Sequence, residues 1–361
     1  MIKKTFIVLG IVAGTILLLG AIGVYYFKPN ENFVLNFIKD NPEKSAIKLY
    51  RNDTLLVDKS PDKMMPLAST VKIIIAIEYA KQASSGMINP DEKISIKELD
   101  KFYIPNTDGG AHKKWLDKVS DKIENDEISI REIAKGMIAF SSNANTEWLS
   151  DKLGLENINN RLDSLGIKKH SEIYYIVSAL FVGKEKFPDS DNKDLESKLK
   201  ALPIDEYIQT TNVIHEKLKK DSTYKKDKGD LSMNIQRIWS DNLPESTVEE
   251  YVGVMKKINS RTYFNHQTQQ YLDEVMEFLL DNPANRQWLE HSGMKGGSTA
   301  FVLTKALYAT DKKGNKTEMA YFLNDLEFLE NTRLQMSMNQ FELKILTDKE
   351  FRSEVEKELK K

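Results

Sequence analysis

Apolar and polar positions change rhythm along this chain, and each rhythm predicts a different element. Ala46-Ile47-Lys48-Leu49-Tyr50 and Thr54-Leu55-Leu56-Val57 flank the polar triplet Arg51-Asn52-Asp53, the pattern of two strands and a tight turn. A second hairpin pattern runs from Phe301 to Thr310, turns over Asp311 to Lys316 and returns from Thr317 to Leu323. Between these ends, 70–81, 130–140, 144–153 and 247–258 repeat apolar side chains at spacings of three and four, which predicts amphipathic helices. The tail from Thr332 to Leu359 has the same period, with a break near Thr347-Asp348. Strands at both ends of a helical middle predict an α+β fold: a sheet from about 45–57 and 300–324 with C-terminal helices, and a helical part over about 70–290.

The first 30 residues obey neither period. After Lys3 and Lys4 comes an uncharged run from Phe6 to Phe27, 22 residues. As a helix it would measure about 33 Å, the thickness of a bilayer's hydrocarbon core. The lysines before it, and Tyr25-Tyr26 near its far end, orient the N-terminus toward the cytoplasm. The expectation is a retained single-pass anchor at the cell membrane, residues 6–27 within a segment 1–30, with 31–361 as one extracytoplasmic domain. A cleaved signal peptide is the competing reading. The run is longer than a usual signal core, however, and no clear small-x-small site precedes a polar stretch.

Composition narrows the function. The chain has 361 residues, 40% hydrophobic, enough for a substantial core. Its net charge of −2 provides no basic field for nucleic acid, so none is expected as a partner. With no cysteine, disulfides, thiolate metal sites and a Cys nucleophile are excluded. Five scattered histidines form no His-Glu-x-x-His, and no Gly-x-Ser-x-Gly occurs, so neither metal nor organic cofactor is expected. Over about 183–242 the composition shifts toward Lys, Asp and Ser, with five lysines clustered from Lys219 to Lys228, which reads as an inserted polar surface segment.

The remaining chemistry centres on serine and lysine. A serine three residues before a lysine shares one helical face with it, so a neutral amine can take the hydroxyl proton. Seven such pairs occur, beginning at Ser45, Ser60, Ser69, Ser190, Ser197, Ser222 and Ser292. Only Ser69-Thr70-Val71-Lys72 lies between a proline-marked loop and a strongly apolar helix, where helix-end N–H groups favour negative charge and burial can lower the lysine pKa. Two other segments fit around it. Ser141-Ser142-Asn143 falls between two predicted helices. Lys295-Gly296-Gly297-Ser298-Thr299 precedes the strand expected from Phe301, where Gly297 and its small neighbours let a substrate backbone come close.

In order, element type and interval these three motifs resemble those of the penicillin-recognising serine hydrolases, most closely the class A β-lactamase-like family. The resemblance extends from about Ser45 to about Leu346. It implies a helical domain packed on an antiparallel sheet, with Ser69 as acylated nucleophile and Lys72 as its proton acceptor or the organiser of one. Ser141 would relay a proton to the leaving nitrogen, Asn143 would hold the substrate amide and Lys295 would face a substrate carboxylate. The N–H groups of Ser69 and Ser298 would form the oxyanion hole. The stretch 101–111, with Tyr103, would form a cleft wall. The implied substrate is a β-lactam or a peptidoglycan-derived peptide, and the implied activity is β-lactam hydrolysis. The alternatives are a cell-wall D-alanyl peptidase, transpeptidase or esterase of the same fold, or a non-catalytic scaffold.

The chain departs from the family at two places. Gly296 stands where a hydroxyl residue is usual, so Ser298 or Thr299 is expected to compensate. The family's deacylating glutamate, counted from Leu165-Gly166, falls on Ile176, which leaves Glu172 as the nearest candidate base, without the usual Asn. Ser-Asp-Asn occurs literally at Ser190 and Ser240, outside the expected context, and both are read as coincidences.

Overall fold

The computed structural model describes residues 27–221 and 223–360. The proposed anchor therefore lies almost wholly outside the described residues, and no described helix is long and apolar enough to cross a membrane. Five strands, β1 (Ser45–Arg51), β2 (Thr54–Lys59), β3 (Leu289–Ser298), β4 (Leu303–Asp311) and β5 (Lys316–Leu323), form one antiparallel sheet in the order β2-β1-β5-β4-β3. The longer helices are α1 (Glu31–Asp40), α2 (Lys72–Ser84), α3 (Ile130–Ala139), α4 (Asn143–Leu153), α5 (Leu155–Ser164), α6 (Asn192–Ala201), α7 (Ile204–Lys220), α8 (Met233–Asp241), α9 (Val248–Ser260), α10 (His266–Met276), α11 (Phe328–Thr347) and α12 (Lys349–Leu359).

The continuous apolar run Met319 to Leu323 places β5 at the sheet centre, because a strand buried on both faces needs no polar alternate. Met319, Tyr321 and Leu323 point into one core with Ile47, Leu49, Leu303 and Leu307, closed by α1, α11 and α12. Ala320 and Phe322 point into the other with Ala46, Ala306 and Tyr308, closed by α9 and the helical layer. The two-residue period of the strand thus divides the protein into two cores.

At the centre of the helical layer is α2, buried from Lys72 to Ala83 except at Lys81. A helix that is apolar all round must be enclosed, and α2 packs among α3, α4, α5 and α10. Burying Ile73, Ile74, Ile75 and Ile77 contributes about 1.5–3 kcal/mol each. Ile74→Ala would cost about 2–5 kcal/mol through lost transfer energy and the cavity left behind.

Two expectations need correction. Lys295 to Ser298 precede the first strand of the second hairpin, which begins at Leu303 rather than Phe301, but they are not a loop. They end a strand of their own, β3, which begins at Leu289 and is hidden in the sequence by its three glycines. The 183–242 segment is more than a polar surface. Leu195, Leu199, Tyr207, Ile214, Leu218, Ile235 and Ile238 are buried, so α6, α7 and α8 turn one apolar face inward, and α6 and α7 show their lysines to solvent.

Candidate active site

A cleft of ≈ 490 Å³ opens between the helical layer and the sheet's edge strand β3. Ser69 lines it, partly exposed, from a single 3₁₀ turn (Ala68–Val71) that leads into α2. Ala68 has φ +45°, a left-handed conformation costly for a side chain with Cβ, and the surroundings hold it there. Thr70 donates to Thr304 Oγ1 over 2.7 Å, which donates in turn to Leu67 O over 2.7 Å. Gly297 presses against the same turn: a Cβ there would lie 2.5 Å from both Leu67 O and Ser69 N. The missing side chain therefore lets β3 come against the Ser69 turn, while Gly297 also lines the cleft.

Lys72 is fully buried one turn along. Its ammonium donates to Ser141 O (2.8 Å), Ser141 Oγ (3.3 Å) and Asn143 Oδ1 (2.8 Å). Burial first, and then the charge of Lys295, push its pKa well below the usual lysine value, against a smaller opposing pull from Asp108. The loop between α3 and α4 is rigid where this matters. Ser141 has φ +65°. Ser142 caps α4 at Asn145 N–H, donates to Asn145 Oδ1 (2.9 Å) and meets His112 Nδ1 (2.9 Å). Asn145 Nδ2 donates to Ile133 O (3.0 Å), and Gly136 makes room, since a Cβ there would lie 2.4 Å from that amide. Ser142 is thus the structural member of its triplet, leaving Ser141 and Asn143 at the cleft.

On β3, Lys295 is almost buried and donates to Gly296 O (2.9 Å). Burial, with a contribution from Lys305, pushes its pKa down to about 7. Ser298 is exposed at the cleft rim. Thr299 is not available to replace the missing hydroxyl: its Oγ1 accepts N–H bonds from Phe301 (3.0 Å) and Val302 (3.1 Å) and meets Ser240 Oγ at 2.7 Å. The space beside Gly296 is taken from the next strand by Lys305, whose Nζ lies 3.4 Å from where a Cβ would stand. Lys305 pairs with Glu342 at 3.3 Å. Nothing in the local sequence marks Lys305, because only strand register brings it to Gly296.

The third wall is the loop that follows Gly166. Ile176 lines the cleft and Glu172 does not. Glu172 is exposed because its neighbours are tied elsewhere: Ser171 N–H donates to Glu245 O (2.9 Å), Glu245 N–H to Ser171 Oγ (2.7 Å) and Ile173 N–H to Asn159 Oδ1 (2.8 Å). The loop is fixed from behind by buried Glu147, which accepts the N–H groups of Val177 (3.0 Å) and Ser178 (3.1 Å) and the Ser178 hydroxyl (2.5 Å). His215, from α7, lies between the rings of Tyr175 (3.6 Å) and Phe102 (4.8 Å), with Nδ1 3.3 Å from Glu147 and Nε2 3.2 Å from Asp151.

Other walls were not foreseen. Gln236 and Trp239 enter from α8, and Gln335, Met338 and Asn339 from α11. In the 101–111 stretch, Thr107, Asp108 and Gly109 face the cleft while Tyr103 stacks on His112. Asp108 is the one carboxylate lining the cleft among the described residues, and its oxygens already accept N–H bonds from Gly110 (3.0 Å) and His112 (2.9 Å).

The sequence model described as the beta-lactamase enzyme family matches residues 31–278. Solved structures share the fold at low identity. A β-lactamase from Sphaerobacter thermophilus superposes with a TM-score of 0.53 at 14% identity, over 86% of this chain and 94% of that one. A representative class A β-lactamase from Bacteroides cellulosilyticus gives 0.51 at 16%, over 92% and 97%. A mutant of PBP-A, in its acyl-enzyme complex with penicillin G, gives 0.50 at 14%, over 88% and 98%. No curated protein matches the chain in sequence.

Proposed function

Because the chain belongs to the beta-lactamase enzyme family of serine hydrolases, we propose that it is a membrane-anchored, extracytoplasmic enzyme that opens a β-lactam amide through an acyl-enzyme on Ser69. The observation that best supports this is the position of Lys72, fully buried and hydrogen-bonded at once to Ser141 and Asn143 from the helix that Ser69 introduces. Burial keeps a neutral amine accessible, which takes the Ser69 proton as Oγ bonds to the carbonyl carbon. The oxyanion collects at the N–H groups of Ser69 and Ser298. Ser141, within hydrogen-bond reach of Lys72, passes a proton to the nitrogen as the C–N bond breaks. Asn143 holds the substrate amide, and Lys295 presents its charge to a carboxylate. Residues 6–27 hold the enzyme at the membrane.

The apolar Ile176 on the loop wall favours a second reading, a cell-wall D-alanyl peptidase, transpeptidase or esterase of the same fold, whose acyl-enzyme with a penicillin is released slowly. One experiment separates the two. The full-length protein is incubated in detergent with a reporter penicillin while covalent mass gain and product release are followed together. Rapid release supports β-lactam hydrolysis, and a persistent adduct selects the peptidase or transferase. The absence of both adduct and product release overturns the β-lactam reading and leaves a scaffold or a narrow esterase.

A further inference from the structure

The C-terminal helix α11 carries an unusual outer face. In a chain that is 29% charged, the exposed residues of this 20-residue helix are uncharged apart from the side chain of Lys344, which is tied to Asp348 at 3.0 Å. Four of them are large and apolar: Phe328 is 76% exposed, Leu329 53%, Met336 44% and Leu343 52%. Leu329, Met336 and Leu343 are seven residues apart, so at 100° per residue they fall within about 40° of one another and form one stripe along the helix. The neighbouring helix α12 is the contrast, since Lys349, Glu350, Glu354 and Lys357 are all exposed there. Isolated exposed apolar residues need no explanation, but an aligned, charge-free stripe on a water-soluble surface does.

The flanks of the stripe indicate what covers it. On one side the chain enters the domain: Asn30 N–H donates to Ser337 Oγ of α11 (3.2 Å), and Arg333 of α11 lies 4.0 Å from the centroid of the Phe33 ring in α1. The described chain therefore enters the domain against α11, with Asn30 three residues beyond the end of the uncharged run 6–27 in the sequence. On the other side, Gln335, Met338 and Asn339 line the cleft, and Asn331 Nδ2 donates to Thr299 O and Ala300 O (3.0 Å each).

We propose that the α11 stripe is a membrane-docking face that seats Phe328, Leu329, Met336 and Leu343 in the outer surface of the bilayer that holds residues 6–27. The proposal rests on the anchor reading above. A chain that leaves the bilayer beside α11 holds that helix within reach of lipid, where apolar side chains gain by leaving water. Docking there turns the α11 wall of the cleft toward the membrane, so Ser69 acts on substrates presented at its surface.

The lack of cysteine makes a clean test possible, because one introduced cysteine takes a fluorophore at a single site. Full-length Met336→Cys and Leu343→Cys, and Lys193→Cys on exposed α6 as control, are labelled and reconstituted into phosphatidylcholine–phosphatidylglycerol vesicles that carry a nitroxide lipid. Flotation and acylation by a reporter penicillin are measured on the same samples, the latter to show that each variant is folded. The expected result is several-fold stronger quenching at 336 and 343 than at 193. It should fall to the control level when Leu329 and Phe328 are also replaced by Glu. Chains that float and acylate but quench equally at all three sites overturn the docking while the anchor stands. Chains that do not float overturn the anchor and the docking together. Efficient disulfide formation between copies through position 336, independent of lipid, overturns it in favour of self-association.

Discussion

Two walls of the same cleft have opposite chemistry. The wall built by the Ser69 turn, α2 and the 141–143 loop sets a buried amine, Lys72, against the Ser141 hydroxyl and the Asn143 amide, with Ser69 beside them along the same cleft. The wall built by the 166–178 loop offers Ile176, and its polar contacts are spent on holding the loop to Glu147, Asn159 and Glu245. On the proposed mechanism, forming an acyl-enzyme and resolving it are separate steps with separate needs, and the polar groups of the cleft are gathered on the side that would serve the first. A water on the loop side would meet no free carboxylate, because the cleft's Asp108 already caps the turn at Gly110 and His112.

The largest expected effect lies on the equipped wall. Ser69→Ala removes the proposed nucleophile, and covalent labelling by a reporter penicillin, read by intact mass, should be abolished. Undiminished labelling would move the nucleophile elsewhere, and with it the whole contrast. Ser292, the other serine paired with a lysine three residues on in this region, is buried in β3, where side chains three apart face opposite sides of the sheet.

Next in size comes a gain on the bare wall. Ile176→Glu places a carboxylate where the loop now presents a methyl-bearing side chain. Deacylation in single-turnover experiments should accelerate toward the lower end of the ~10²–10⁴-fold that a positioned general base supplies. Unchanged deacylation with unchanged acylation would show that the absence of a base at this position does not limit release.

A smaller effect separates positioning from chemistry. Glu147→Gln replaces the buried carboxylate that holds Val177 and Ser178, and hydrogen bonds to a charged group contribute about 1.5–3 kcal/mol each. Thermal stability should fall by roughly one such bond while acylation stays within a few-fold, since the Ser69 wall is untouched. His215 adds a pH signature. Burial alone would lower its pKa, but the bonds to Asp151 and Glu147 outweigh that and leave it raised above 6.5. Its contribution to stability is therefore present in full below pH 6.5 and lost as pH rises through the raised folded value. That slope in melting temperature should vanish in His215→Asn, and a slope that persists would place its origin outside the clamp.

The contrast between the walls also separates what the sequence made legible from what it hid. Ser69 and Lys72 could be read because a local spacing was set against an apolar helix, and β5 because its apolar run admits only a strand buried on both faces. Ile176 could be found by counting. The rest depends on distance along the chain. Glu147 and His215 are 68 residues apart and meet only after α7 packs inward, which a composition rich in lysine concealed. Strand β3 was missed because Gly293, Gly296 and Gly297 weaken every local strand signal, although two of them are there for contact: a Cβ on Gly293 would strike the Tyr308 ring at 2.6 Å, and one on Gly297 the Ser69 turn. Lys305 and the α11 residues of the cleft follow from register and packing alone.

The smallest expected effect is at Glu172, the one acidic residue of the 166–178 loop. Its side chain is exposed, and residues 171 and 173 on either side are bonded to Glu245 and Asn159 rather than turned toward Ser69. Bringing it into the cleft would break those bonds and displace Ile176 from the wall. Glu172→Gln should therefore leave both acylation and deacylation within a few-fold of the parent enzyme in single-turnover measurements, with thermal stability nearly unchanged, as befits an exposed carboxylate. A hundredfold loss confined to deacylation would mean that the loop rearranges once the acyl group is in place, so that the wall equipped only for packing before acylation becomes the catalytic wall after it. The two walls would then differ in time rather than in kind, and the Ile176→Glu gain should shrink in the same measure, because the position it fills would already be served.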